Sequence, residues 1–586
     1  MCSIIGYKGK SDAAPLLVDS LKRMEYRGYD SVGLATINEE HEVSFRKGVG
    51  KVAEVNQGLN LTSMKGNIGI GHTRWATHGA VTDHNAHPHS SCSKNIAVVH
   101  NGIIENYKEL KEELIQKGHK FKSQTDSEVI AHLLEEYYKN NVKKAMVETC
   151  RRIQGAYAFV AVFEDGTVAG ARNDEPLIVG VGKEGYFLSS DVLGFLQHTD
   201  KAIFLDNCDI AIIGGDKLEI YISNGKKIKR PVTQVAWELG AADKGKYAHY
   251  TLKEINEQKI TIINAANQDP TMMQIFCDII SRAKNLYITG SGTSYNSALI
   301  AKHILTKFAK IRVETIMSSE FQYAPEILDK DSALIAISQS GETADVLQSV
   351  KAAKAAKAKI LSIVNVPTSS LARMSDSFLR LNCGPEIGVA ATKSFTGQLA
   401  VIYNVADRLC NGCVGIGERE EIVKTIEAVL AESERIANVA NDFQHVTDVY
   451  LLGRALHYPI ALEGALKLKE LSYVHAEGIA AGELKHGPLA LMDKNTDVII
   501  LNPSDSTYND TISNVHEIRA RGAKVIGISD KYNEVYNNWI KIPKVNEALY
   551  PMIEVIPLQI LAYHAALKRN ADPDYPRNLA KSVTVK

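Results

Sequence analysis

The sequence predicts an α+β layered domain followed by two α/β domains with parallel sheets. Three observations lead there. The first 240 residues are rich in short strand-like runs, such as Ile4–Tyr7, Ile96–His100 and Ala156–Phe163, with a few helical stretches between them. From about residue 263 onward, strand and helix patterns alternate. That second part also repeats itself: Leu286–Gly290 matches Val449–Gly453, Leu334–Ile337 matches Val498–Leu501, and Ile360–Asn365 matches Val525–Asp530. The offsets are 163, 164 and 165 residues, so three strands recur in one order, the mark of a duplicated domain.

Length agrees, because 586 residues are too many for one hydrophobic core. The expected division is 1–240 for the layered domain, 241–262 for a linker that is polar and glycine-containing over Ala241–Tyr247 and helical around Leu252–Ile255, 263–430 for the first α/β copy and 431–586 for the second. Amphipathic helices are expected around Tyr107–Lys117 and Ser127–Tyr138, with Thr125 and Asp126 placed to cap the latter.

Hydrophobic residues make up 45% of the chain and charged residues 23%, ordinary for a globular protein. A net charge of -1 gives no basic stripe for nucleic acid and no general attraction to an anionic membrane. No run approaches the ~18 apolar residues of a membrane helix, and the N-terminus lacks the pattern of a signal peptide. A cytoplasmic protein is expected. Cys410 and Cys413 form a lone CxxC, read as two free thiols at a helix end because a structural zinc site needs a second pair.

Chemistry begins at Cys2. Removal of Met1 would leave a thiol and an α-amine on one residue, and that amine, with a pKa of about 8, can take the thiol's proton. Position 2 alone is equally a small buried thiol near a chain end. Three further segments accompany it: Glu25-Tyr26-Arg27-Gly28-Tyr29-Asp30-Ser31, His72-Thr73-Arg74-Trp75-Ala76-Thr77-His78-Gly79 and His100-Asn101-Gly102. Singly each is a turn or a satisfied histidine. Together behind Cys2 they resemble the N-terminal-nucleophile glutaminase domain of class II amidotransferases. The resemblance implies that Cys2 attacks the glutamine amide, that Asn101 and the Gly102 N–H form an oxyanion hole, and that Arg74 pairs with the substrate carboxylate. It further implies that Asp126 holds the substrate amine, that Thr77 and His78 line the glutamine pocket, and that Trp75 gates the path of ammonia. The family usually has glycine after the cysteine; here it is Ser3. The six histidines between His72 and His100 raise a metal hydrolase as a competing reading. No HExxH spacing is present, and no metal or other cofactor is expected.

In the second part, two loops follow strands and precede helices. Thr289-Gly290-Ser291-Gly292-Thr293-Ser294 is by itself a common capping pattern, although a helix N-terminus there can also receive a phosphate. Ser338-Gln339-Ser340-Gly341-Glu342-Thr343 is more specific, and resembles the sugar-phosphate loop of sugar isomerase domains. There is no dinucleotide or P-loop fingerprint. The resemblance implies phosphate contacts from Thr293, Ser294, Ser338, Gln339, Ser340 and Thr343, and a sugar contact from Val389. The corresponding loop of the second copy, Asn502-Pro503-Ser504-Asp505-Ser506, lacks the pattern, so one sugar site per chain is expected. Lys467 and Glu470 share a helix face, which alone could be a surface ion pair. Taken over its length, the chain is similar to the amidotransferases that join a glutaminase to duplicated sugar isomerase domains. That likeness implies conversion of fructose 6-phosphate and glutamine to glucosamine 6-phosphate and glutamate. It assigns a Schiff base to Lys581, proton transfer to Glu470 with Lys467 beside it, ring opening to His486 of a neighbouring subunit in a homodimer, and closure of the site to the C-terminal tail.

Overall fold

The computed structural model describes residues 2–76, 78–235, 243–416 and 419–584. It divides into two compact units, one of residues 1–240 with 580–586, the other of residues 241–579.

The first unit is layered as expected. Among the described residues it holds an eight-stranded and a seven-stranded sheet, antiparallel throughout the main ladders. Ser3–Gly9 lies at the centre of the first sheet, beside Ile68–Arg74; Ile96–Ile104 pairs with Gly155–Phe163 in the second. The strands alternate, and their inner faces meet in one apolar layer that includes Ile4, Ile70, Val99, Val160 and Leu188. Helices cover the outer faces. Leu17 and Leu21 of Ala13–Met24 lie under Gly69 and Gly71, where a Cβ would stand 2.9 and 3.0 Å from their methyl carbons. Glu128–Tyr137 and Val142–Arg152 pack apolar residues such as Ile130, Leu134 and Met146 on the second sheet. The result is helix, sheet, sheet, helix.

The second unit contains two five-stranded parallel sheets. The first runs Val313–Met317, Asn285–Gly290, Ser332–Ser338, Lys359–Val364, Ser377–Arg380 across the sheet. The second runs His475–Ala480, Asp448–Gly453, Asp497–Leu501, Lys524–Ser529, Asn538–Lys541. Each has its first strand in second place, so the repeat seen in sequence is a repeat of topology. One apolar core runs through both copies, from Ile288 and Ile335 to Leu451 and Ile499.

Two boundaries and one cysteine pair differ from expectation. Much of the segment read as linker is the helix Tyr250–Ala266, because Thr251, Ile255, Gln258 and Ile262 form a buried helical stripe. Asp574 holds its start, accepting from the N–H groups of Tyr250 (2.9 Å) and Thr251 (2.8 Å). The last residues, 580–586, belong to the first unit rather than to the second isomerase copy. There Thr584 donates from Oγ1 to the buried Glu175 at 2.8 Å. Cys410 and Cys413 are joined in a disulfide rather than free. The helix Lys393–Leu409 ends just before them, and left-handed Asn411 and Gly412 turn the chain back to a Cα separation of 5.7 Å, within bonding range.

Candidate active sites

The first site forms where the two sheets of the N-terminal unit come together. Ser3 pairs with Thr73, which sets Cys2 beside Arg74 and Trp75. The Trp75 N–H donates to Cys2 Sγ at 3.2 Å, and the Trp75 carbonyl lies 3.4 Å from the same sulfur. Ser3 fits the place of a glycine because its hydroxyl turns inward and donates to the Met24 carbonyl at 2.8 Å.

Asn101, on the second sheet, reaches across and donates from Nδ2 to the Cys2 carbonyl at 2.9 Å. Its Oδ1 lies 3.1 Å from His72 Nε2, which also faces the His100 carbonyl at 3.0 Å. Both partners are acceptors, so the His72 proton sits on Nε2, and burial lowers its pKa to about 3. A neutral His72 therefore fixes the Asn101 amide with its NH2 toward Cys2. Sequence reading had noticed His72 only as a conceivable metal ligand; its place in the register opposite Ile4 was the missed signal. Gly102 must be glycine: φ is +109°, and a Cβ there would lie 2.0 Å from the Ala156 carbonyl oxygen.

Cys2, Asn101 and Gly102 border a pocket with about 430 Å³ of empty space, counting its open mouth. Arg74, Trp75, His78, Asp126 and Thr584 also line it. Thr77 lies outside the described residues. Asp30 accepts from the Ala76 N–H at 2.8 Å, ordering the turn after Arg74. The Arg74 guanidinium is held by the carbonyls of His78, Gly79 and Ala80. Asp126 accepts from the Ile104 N–H at 2.7 Å. Burial raises the pKa of the Cys2 thiol, opposed by the Trp75 N–H and the Arg74 charge. Three further histidines of this stretch are buried and engaged within the core, whereas His84 is exposed. His87 stacks on His72 at 4.1 Å and accepts from the His100 N–H, His89 pairs with Thr125, and His100 with Ser127.

The second site begins at the strand end Ser338. Its Oγ accepts from the Gly341 N–H at 3.0 Å and lies 3.0 Å from Thr343 Oγ1. Ser340 Oγ accepts from the Glu342 N–H at 3.2 Å, and the Gln339 carbonyl from the Asn365 N–H at 3.1 Å. The loop so shaped leads into the helix Ala344–Ala355 with Thr343 at its N-cap, where unpaired N–H groups favour an anion. Ser294 Oγ accepts from Gln398 at 2.9 Å. Val389, nearly buried, donates its N–H to the Asp574 carbonyl at 3.2 Å.

Thr293 links the two copies. The helix His457–Ser472 of the second copy presents Glu463, Lys467 and Glu470 as one stripe. Lys467, fully buried, donates to Thr293 Oγ1 (3.1 Å) and Glu470 (2.6 Å), with Glu463 at 3.3 Å. Glu463 in turn accepts from Thr293 Oγ1 at 3.0 Å and Asn296 Nδ2 at 2.8 Å. Burial alone would lower the Lys467 pKa, but Glu463 and Glu470 outweigh it and hold the ammonium charged. Glu463 and Asn296 were absent from the expected set. The signal for Glu463 was the i, i+4, i+7 spacing of Glu463, Lys467 and Glu470; Asn296 had none. His486 stands exposed at the end of the turn Ala481–His486. Lys581 lies in the segment grouped with the first unit.

The second copy carries charge of its own where the first has its serine loop. Asp505 accepts from fully buried His457 Nε2 (2.9 Å), and Glu554 from His457 Nδ1 (2.8 Å). Burial works against the imidazolium, yet the two carboxylates raise the His457 pKa to about 10. Asp530 accepts from Ser504 N–H at 2.7 Å. The loop after the strand Asp497–Leu501 thus carries Asp505 and is tied by Ser504 to Asp530.

Comparison with known proteins agrees with this geometry. A glutamine amidotransferase domain model matches residues 72–197, and an SIS domain model matches 279–407 and 443–569. The chain is 44% identical, over the whole of both chains, to the glutamine–fructose-6-phosphate aminotransferase (isomerizing) of Pyrococcus horikoshii, and 43% identical to that of Aquifex aeolicus, again over both full lengths. Among solved structures it resembles the C-terminal domain of glucosamine-fructose-6-phosphate aminotransferase from Francisella tularensis, at 35% identity and a TM-score of 0.54, covering 57% of this chain and 99% of that one. With both site geometries present and likeness running end to end, the chain belongs to the glutamine–fructose-6-phosphate aminotransferase (isomerizing) family.

Proposed function

We propose that this enzyme transfers the amide nitrogen of glutamine to fructose 6-phosphate, giving glucosamine 6-phosphate and glutamate, the first step of amino sugar synthesis. The observation that carries the reading is Cys2 set between the Trp75 backbone and a pre-oriented Asn101, in one chain with the Ser338–Thr343 anion loop. Burial makes the thiol a weaker acid, so a local base is needed, and the Cys2 α-amine freed by loss of Met1 is the nearest. The thiolate attacks the amide carbon. Asn101 Nδ2 and the Gly102 N–H receive the oxyanion, ammonia leaves with a proton from the amine, and water cleaves the thioester to glutamate. Arg74 and Asp126 pair with the substrate carboxylate and amine, with Thr77 and His78 beside them and Trp75 on the ammonia path.

At the sugar site, Thr293, Ser294, Ser338, Gln339, Ser340 and Thr343 hold the phosphate and Val389 meets the sugar. His486, exposed on its own chain, serves a partner subunit in a homodimer and opens the ring. Lys581 forms the Schiff base, and Glu470, positioned by Lys467, moves the proton between C2 and C1. The second copy, with Asp505 in the corresponding loop, binds no sugar phosphate. No helix among the described residues is long and apolar enough to cross a membrane; the cytoplasm is the proposed location.

The test uses protein whose first residue has been sequenced, given glutamine labelled with ¹⁵N at the amide. Mass spectrometry should find the label in glucosamine 6-phosphate, and Cys2→Ala should abolish that transfer. Full activity in Cys2→Ala, or in protein that keeps Met1, refutes the mechanism.

A further inference from the structure

Four side chains of the N-terminal unit, from exposed Cys92 to buried His132, converge without a role in either site. Cys92 lies in the turn before the strand Ile96–Ile104. His119 follows the helix Tyr107–Gln116, and His132 and Glu135 lie three apart on Glu128–Tyr137. One ligand atom of each stands within 4.8 Å of all the others. Cys92 Sγ is 3.9 Å from His119 Nδ1 and 3.6 Å from His132 Nδ1. Glu135 Oε2 is 3.2 Å from His119 Nδ1 and 3.7 Å from His132 Nδ1.

These four separations, 3.2–3.9 Å, lie close to the edges of a metal tetrahedron. Bonds of ~2.3 Å to sulfur and ~2.0–2.1 Å to nitrogen or oxygen give ligand–ligand edges of about 3.3–3.6 Å. The surroundings also suit an ion. Each histidine turns its other nitrogen to a carboxylate: His119 Nε2 lies 3.4 Å from Glu136, and His132 Nε2 lies 3.6 Å from Glu128. Such outer carboxylates orient metal-bound imidazoles. The Lys120 N–H donates to Cys92 Sγ at 3.3 Å, the contact a thiolate favours. Glu135 Oε1 is held by the Ser93 N–H at 2.8 Å, while Oε2, which also accepts from the Cys92 N–H at 2.9 Å, faces the cluster. One thiolate and one carboxylate balance a divalent charge.

We infer that Cys92, His119, His132 and Glu135 form a closed, structural binding site for a zinc-class divalent cation. All four positions come from protein, so the ion is a staple and not a catalyst. It joins the turn before the strand Ile96–Ile104 to two helices. His119 and His132 bracket the segment that carries Thr125, Asp126 and Ser127, which border the Cys2 pocket.

The experiment uses the untagged full chain, purified without chelator and then incubated with zinc and desalted. Elemental analysis should find about one zinc per chain, and Co(II) should give the visible bands of a tetrahedral site with thiolate charge transfer. Cys92→Ser should lose the charge-transfer band, and Glu136→Gln should weaken zinc binding roughly 10- to 100-fold. Chelation of the parent chain should lower its Tm. Protein that takes up no zinc, or that binds cobalt with the same spectrum when Cys92 is serine, overturns the assignment. Zinc that survives desalting equally well in a His119→Asn, His132→Asn double variant overturns it too.

Discussion

Replacing Lys467 by methionine tests how the sugar site is held together. The side chain is fully buried, and its ammonium meets Glu463 at 3.3 Å, Glu470 at 2.6 Å and Thr293 at 3.1 Å. Methionine fills much of the volume but removes the charge. Glu470 is partly exposed and can turn to water; Glu463 is fully buried and keeps only the neutral donors Thr293 and Asn296. Stranding one member of a buried pair costs about 3–5 kcal/mol. At roughly 2–4 °C per kcal/mol, calorimetry should show Tm falling by about 6–20 °C. Glu463→Gln in the same background removes the stranded charge and should restore a good part of the loss. Glutamine hydrolysis should persist in both, because Cys2 and its partners lie in the other unit. Glucosamine 6-phosphate formation should stay low in both, since neither restores the group that positions Glu470. A Tm within about 2 °C of the parent, or full synthesis in Lys467→Met, refutes this account of the cluster.

Three further outcomes rest on other contacts. Asn101→Ala should lower the turnover of glutamine hydrolysis about 10²- to 10³-fold, and Gly102→Ala should lower it as well while destabilising the fold by about 1–3 kcal/mol, since the new Cβ overlaps the Ala156 carbonyl; steady-state kinetics and denaturant melts check both. His457 titrates near 10 in the fold against 6.5 in the unfolded chain, so the folded state binds the extra proton between those values. Stability should therefore fall as pH rises from about 6.5 to about 10, seen as a sloping Tm that flattens in His457→Gln.

The sequence by itself determined what local chemistry can announce. Alternation and strand order established the antiparallel layers and the duplicated parallel sheets, because side-chain period and short-range connectivity reflect local backbone preference. Cys2, Asn101 and the Ser338–Thr343 loop were singled out through their resemblance to known families, since each taken alone reads as an ordinary thiol, turn or capping loop. Tertiary structure decided the rest. Helix Tyr250–Ala266 looked like linker because its buried stripe has meaning only against Asp574 and Glu254's partners Ile387 and Gly388. His72 became an orienting group, Glu463 a buried counter-charge and Thr584 a pocket residue through contacts 29, 170 and 409 residues away in sequence. Cys92, His119, His132 and Glu135 follow no familiar ligand spacing. Two helices and a turn bring them together, and that convergence is set by the packing of apolar faces far from the ligands themselves.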